Sequence, residues 1–187
     1  MGKKQKITSI STKTGDCGQT SLASGERVAK DSLVMEVVGT IDELNSWVGL
    51  VMVHAESDFR AQRKVLEQVQ HDLYQLSAVI VKAPQIKFKK PALNRLEKHS
   101  QALEAEMAGE WQGKFLHPGG TKLAAQIDIA RTICRRCERL TFKHSQVEKL
   151  SPLILSYLNR LSDYLYLLRC YVNLDQKYSE KPLIPDK

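Results

Sequence analysis

The sequence lacks the marks of a secreted or membrane-anchored chain. Its start, MGKKQKITSI, contains no apolar signal core, and no stretch of the 187 residues approaches the roughly 18 consecutive apolar residues of a membrane-spanning helix. Cysteines are few as well, with four in the whole chain. We therefore expect a cytoplasmic protein whose cysteines are free thiols, because a reducing compartment disfavours disulfides.

Aromatic residues are also scarce, at 6% of the chain, although the formal net charge is +7. An excess of basic over acidic residues is compatible with anionic partners such as nucleotides or nucleic acid. The basic residues are dispersed, however, and no long basic run is interleaved with aromatic side chains on which a single strand could stack. The charge therefore favours a small anionic ligand only slightly, and a basic helical module that binds nucleic acid remains an alternative.

A convincing strand-like alternation is absent, and the spacing of apolar residues predicts five helices. The first begins either near Ser32 or at Thr40, where a T-x-x-E pattern forms a capping box. Ser151 and Pro152 are typical of the start of the last helix. The other three are predicted at about residues 58–82, 91–107 and 121–144.

These helices and their short connections favour an all-α, five-helix up-down bundle in a single domain over residues 1–187. Residues 1–31 contain four glycines and many hydroxyl side chains, which predicts a loop region. The bundle itself is predicted at 32–174, and residues 175–187 are predicted to form a loose tail.

Residues 12–21 read TKTGDCGQTS and place two glycines among hydroxyl side chains. Gly15 and Gly18 would let backbone N–H groups turn inward as an anion nest, and Lys30 could reach the same anion. The spacing is not that of a P-loop. On these residues alone, a flexible surface loop is the better explanation.

A second cluster of charged residues lies in the fourth predicted helix. Arg131, Arg135 and Glu138 are spaced i, i+4, i+7 and therefore share one helix face, which Asp128 extends. Guanidinium groups suit a polyphosphate because their planar, forked donors are permanently charged. Taken alone, the same spacing is better explained as a solvated stripe of ion pairs.

Three further features carry weaker signals. Asn159 and Asp163 lie one helical turn apart and could bind adenosine, although ordinary polar-face residues are the simpler explanation. Phe115 precedes a Pro-Gly-Gly turn that could present its ring outward, although such a ring is more often packed. Cys134 and Cys137 have the spacing of a redox or zinc pair but lack partners at ligand spacing, which favours structural thiols and no metal site.

Together these segments resemble one family, the PduO-type cob(I)alamin adenosyltransferases. Seven motifs stand in the order found there, and the resemblance covers about residues 8–174. The motifs are TKTGDxGxTSL, GER, K-D, GTxDELNS, F-x-x-PGG, ARTxCRRxER and YLNRLSD.

The resemblance implies an enzyme that moves the 5′-deoxyadenosyl group of ATP to the cobalt of a reduced corrinoid. It implies ATP with Mg²⁺ and cobalamin as the bound molecules, and a homotrimer with ATP between neighbouring subunits. A reductase and an acceptor enzyme that depends on adenosylcobalamin are the further partners it suggests, with no role for nucleic acid or a membrane.

The resemblance also assigns residues. Those implied to hold the nucleotide phosphates are Thr12, Thr14, Gly15, Gly18 and Lys30. Those implied to hold phosphate, the Mg²⁺ environment and adenosine from the adjacent subunit are Arg135, Glu138 and Asn159. Asp42 is implied to pair with Arg131 across the interface, and Phe115 to stand against the lower face of the corrin.

Three positions depart from the family pattern. Cys17 replaces a frequent lysine in the loop, Val34 a frequent arginine, and His117 an apolar residue before the Pro-Gly-Gly turn. These departures keep open a non-catalytic chaperone or sensor that binds ATP or adenosylcobalamin. The presence of Arg131 and Arg135 argues against it.

Phe115→Ala is predicted to impair mainly the reduction of Co(II), because an apolar wall would exclude the lower axial ligand and water. The measurement compares an assay started from Co(II) plus reductant with one started from chemically prepared Co(I). Full activity of the variant in both assays would contradict the assigned role.

Overall fold

A short β-hairpin and five α-helices make up the computed structural model, which describes residues 13, 15–55, 59–109 and 116–183. Strands β1 (Gln19–Ser21) and β2 (Arg27–Ala29) pair antiparallel, with Gln19 opposite Ala29. The sequence analysis expected no strand in this region, which was wrong. Strands of three residues are too short to show an alternating pattern, and their pairing depends on the turn at Gly25, where φ is +88°.

The predicted five-helix fold is confirmed. The helices are α1 (Leu33–His54), α2 (Arg60–Ile80), α3 (Lys90–Glu106), α4 (Lys122–Ser145) and α5 (Pro152–Asp175). Thr121 caps α4 by accepting a hydrogen bond from the Ala124 N–H, and Ser151 caps α5 by accepting one from the Leu153 N–H. None of these helices is both long enough and apolar enough to cross a membrane.

The first helix begins after Ser32, so the capping box at Thr40 was wrong and the earlier start was right. Thr40 lies inside α1, where its hydroxyl donates to the Glu36 carbonyl over 2.8 Å. Val37, one turn earlier, is fully buried, so the core requires the helix before Thr40. The Ser32 hydroxyl donates to the Ala29 carbonyl over 2.6 Å and ties the helix start to β2.

The core lies along α4 and α5. Helix α4 packs against both α1 and α5, α3 packs against α5, and α2 packs against α1. Between α2 and α3 the contact is thinner, and an ion pair bridges it: Arg95 Nη2 lies 2.9 Å from Asp72 Oδ1. The buried Tyr157 hydroxyl of α5 donates to the same carboxylate over 3.0 Å. Polar contacts at Asp72 therefore join three helices.

After α5 the chain folds back along the loop that precedes α4. The Tyr178 N–H donates to the Asn173 carbonyl, and the His117 N–H donates to the Lys181 carbonyl over 3.0 Å. Leu116 and Pro182 form an isolated β-bridge. Part of the segment that the sequence predicts as a loose tail therefore contacts the loop at residues 116–121.

Gly120→Ala is predicted to destabilise the fold more than Gly119→Ala. Both glycines have φ above +100°, so alanine costs about 1–3 kcal/mol at either position. Only at Gly120 would the new Cβ clash with the buried Asn173 side chain, whereas Gly119 has open space. Urea denaturation of both variants checks this, and equal free energies of unfolding would contradict it.

Candidate active site

The glycine loop forms a turn beside a lysine. The Gly18 N–H donates to the Gly15 carbonyl over 3.3 Å, and Gly18 has φ of +77°. The Lys30 N–H donates to the Gly18 carbonyl over 2.9 Å. A Cβ on Gly15 would lie 3.1 Å from Lys30 Nζ, so the lysine side chain runs over the glycine. Lys30 therefore stands at the turn, and its role in binding an anion remains a prediction.

Three candidate residues lie outside the described residues. Thr12, Thr14 and Phe115 fall in the gaps of the described ranges, so their assignments remain predictions. The described residues next to them are Lys13 and Gly15 in the glycine loop and Leu116 after Phe115.

The arginine pair of α4 lies at a cleft of about 360 Å³ between α3, α4 and α5. Arg131 is held in place by the buried Asp128, because its Nε lies 2.7 Å from Asp128 Oδ1. Arg135 is exposed, and within the described ranges its guanidinium makes no hydrogen bond or ion pair. The alternative explanation from the sequence, a stripe of ion pairs, therefore applies to Arg131 but not to Arg135. The Arg135 guanidinium is available to an anion.

Glu138 and Asn159 meet across the α4–α5 interface. Asn159 Nδ2 donates to Glu138 Oε1 over 3.1 Å, and Asn159 Oδ1 accepts from Arg160 Nη1 over 2.7 Å. Arg160 Nη1 also donates to Asp163 Oδ2 over 3.0 Å. Glu138 of α4 and Asn159 of α5 are thus neighbours, and their binding roles remain predictions.

Asp42 and Arg131 lie on different surfaces of the chain. Asp42 is exposed and lines a groove of about 490 Å³ between α1 and α2, together with Asn45 and Tyr74. The next residue, Glu43, forms an ion pair with Arg136 of α4. No hydrogen bond or ion pair among the described residues joins Asp42 to Arg131.

The cleft also contains residues that the sequence analysis did not select. They are Glu104, Ser162, Tyr166 and Leu167. Tyr166 follows Asn159 by seven residues and Asp163 by three, so its place on the same face of α5 was available from spacing. Glu104 carried no such signal, because only the packing of α3 against α5 brings it to the cleft.

The cysteine pair of α4 is buried in the core. The Cys134 thiol donates to the Leu158 carbonyl over 3.3 Å, and burial raises its pKa well above the usual range. Burial likewise raises the pKa of Cys137 to about 12. Such thiols stay protonated and are poor nucleophiles, which fits structural roles. Cys17, in the glycine loop, is the exposed thiol among the described cysteines.

The fold and the site together define a class: a five-helix bundle with a glycine turn beside a lysine and a separate arginine-lined cleft. The protein-family model that matches this chain is the one for cobalamin adenosyltransferases, and the match covers residues 10–172. The chain belongs to the cobalamin adenosyltransferase family.

Two curated relatives show the extent of the similarity. The chain is 41% identical over 167 residues to a corrinoid adenosyltransferase of Bacillus subtilis, covering 87% of this chain and 85% of that protein. It is 37% identical over 177 residues to a cobalamin adenosyltransferase of Cupriavidus metallidurans, covering 90% of each.

Solved structures agree with the sequence comparison. One neighbour is a phenylalanine-to-alanine variant of the PduO-type ATP:corrinoid adenosyltransferase from Lactobacillus reuteri, complexed with cobalamin and ATP. Its TM-score is 0.87 at 29% identity, covering 95% of this chain and all of that one. An arginine-to-lysine variant of the same enzyme, complexed with ATP, has a TM-score of 0.86 at 30% identity, covering 94% of this chain and 100% of that one.

Proposed function

We propose that this chain transfers the 5′-deoxyadenosyl group of ATP to the cobalt of a reduced corrinoid, giving an adenosylated corrinoid and triphosphate. The structural observation that carries the proposal is the Arg135 guanidinium, which lines the cleft and has no partner among the described residues. It lies on the same helix as Glu138, which pairs with Asn159. The corrinoid adenosyltransferases among the relatives, and the structures with ATP and cobalamin, support it. A nucleic-acid-binding module and a non-catalytic chaperone or sensor are not favoured.

The reaction requires the protein to position the two substrates and to stabilise the charge of the leaving group. The Co(I) centre of the corrinoid substrate attacks C5′ of ATP in line, the cobalt–carbon bond forms, and the carbon–oxygen bond to the triphosphate breaks. No proton leaves the nucleophile, so no general base is required. Holding the two substrates in line and neutralising the departing triphosphate are the remaining tasks.

Three groups of this chain supply the charge in the proposal. The Lys30 ammonium and the N–H groups of the Gly15–Gly18 turn hold the phosphates on one side, except for the Gly18 N–H, which donates to the Gly15 carbonyl. Arg135 holds them on the other, as a forked donor. The Glu138 carboxylate beside Asn159 suits Mg²⁺, which takes few protein carboxylates along with substrate phosphates and would offset further charge.

We further propose that the chain assembles as a homotrimer. The Gly15–Lys30 turn and the Arg131–Arg135 cleft occupy separate surfaces of one chain, so a neighbouring subunit would complete the site. Asp42 at the α1–α2 groove and Arg131 at the cleft carry opposite charges that such a contact could pair. A reductase and an acceptor of the product are further proposed partners.

The direct test is anaerobic. Protein, ATP, Mg²⁺ and chemically reduced cobalamin are mixed, and the alkylcobalt spectrum and free triphosphate are followed. Equal amounts of both products are expected. An unchanged cobalamin spectrum would overturn the proposal, and tight, salt-dependent DNA binding without an ATP effect would favour the nucleic-acid alternative.

Arg135→Ala is expected to abolish turnover, with a loss of about 100-fold or more, because a charge on the departing triphosphate is left without its donor. Arg139→Ala is the matched control, since Arg139 is exposed one turn further along α4 and does not line the cleft. The measurement compares the initial rates of adenosylcobalamin formation by the two variants. Similar losses in both variants would remove the special role of Arg135.

Asp42→Asn and Arg131→Ala are expected to weaken activity through one shared subunit contact. Tested singly and together, they should show a coupling energy of about 1 kcal/mol or more, because each single change breaks the same pair. The readouts are kcat/KM and the oligomeric state in solution. Strictly additive effects on both would exclude the proposed pairing.

A further inference from the structure

The hairpin that carries the glycine turn meets the helical bundle at two places. At its open end, the Ser32 hydroxyl and N–H both donate to the Ala29 carbonyl, which fixes β2 to the start of α1. At its closed end, the Ala23 N–H donates to the Val81 carbonyl over 3.1 Å, just after α2. Within the described part of the chain, no hydrogen bond joins residues 15–18 to a helix, so the hairpin sets the position of the turn.

Lys82 adds an ion-pair bridge at the closed end of the hairpin. Its Nζ lies 3.1 Å from Glu26 Oε2, in the connection between β1 and β2, and 3.0 Å from Glu148 Oε1, in the connection between α4 and α5. Hydrogen bonds to Glu148 and Glu26 raise the pKa of Lys82, so the bridge is charged at neutral pH. One ammonium therefore joins the hairpin both to the end of α2 and to the α4–α5 connection.

The backbone at Lys82 has a conformation in which glycine is favoured. Its φ is +59°, in the left-handed region that a residue with a Cβ adopts only at a cost. The ion pairs of its side chain are solvent-exposed and add little to the stability of the fold. Stability alone therefore does not favour lysine here, and the gain from the side chain lies in where it holds the hairpin.

We propose that Lys82 is a positioning residue for the phosphates of ATP: it fixes the orientation of the hairpin, and with it Lys30 and the glycine turn, against the bundle. The inference rests on the proposed function and deepens it. Strand β2 continues directly into Lys30, whose N–H donates to the Gly18 carbonyl, so a rotation of the hairpin about Ala29 moves lysine and turn together. Without the bridge, ATP would bind only the fraction of molecules in which the hairpin is correctly placed.

The test compares Lys82→Gly with Gln85→Gly in the full-length protein. Gln85 is the matched control, because its φ is also positive, at +65°, and it lies exposed in the same connection between α2 and α3. In Lys82→Gly, the KM for ATP should rise by about 3- to 10-fold, as expected when two exposed ion pairs no longer hold the binding-competent position. The kcat and the KM for reduced cobalamin should stay within about twofold, and Gln85→Gly should match the parent in all three.

The midpoint of urea denaturation separates a positioning role from plain stability. Glycine relieves the left-handed backbone in both variants, so both midpoints should stay at or above that of the parent. Lys82→Arg should keep the KM for ATP within about twofold of the parent, since a guanidinium can bridge the same two carboxylates.

An unchanged KM for ATP in Lys82→Gly, or an equal rise in Gln85→Gly, would overturn the inference. So would a lowered urea midpoint accompanied by higher KM values for both substrates, because that pattern marks a merely structural role. Calorimetric titration with ATP and Mg²⁺, without corrinoid, should show the same loss of about 3- to 10-fold as an affinity. Failure of the proposed function is distinguishable, since the parent would then bind ATP but form no adenosylcobalamin; a parent that binds no ATP would overturn both.

Discussion

Charge stabilisation in the proposed site depends on two cationic groups that one chain holds on different surfaces. Lys30 stands at the glycine turn before α1, whereas Arg135 faces a cleft formed by α3, α4 and α5. A triphosphate leaving group concentrates negative charge, and stabilising it needs donors from more than one direction. The fold supplies both sets of donors, and the proposed assembly brings together the sets of two neighbouring chains.

Most of the helical fold could be predicted from the sequence, because its signals are local. Ser151 and Pro152 marked the start of α5, and Thr121 proved to cap α4. The start of α1 was ambiguous, since Thr40 fits a capping box as well as a helix interior. Only the burial of Val37 decides between them, and burial is a property of tertiary packing.

The site was less accessible to sequence reasoning. Arg131, Arg135 and Glu138 share a face by helical spacing alone, but their different partners could not be read from it. Asp128 neutralises Arg131, while the Arg135 guanidinium has no partner among the described residues. Arg169 and Asn173 bond to the loop at residues 117–121, which precedes them by 52 or 54 positions, and no local pattern marks these contacts.

The central claim is that the glycine turn of one subunit and the arginine cleft of another form one site. Subunits carrying Lys30→Ala and subunits carrying Arg135→Ala can be co-expressed with different tags, and mixed oligomers isolated. Each variant alone should be inactive, but every isolated mixed trimer would contain one intact interface, so about a third of the parent activity should return. Mixed oligomers without restored activity would contradict the claim.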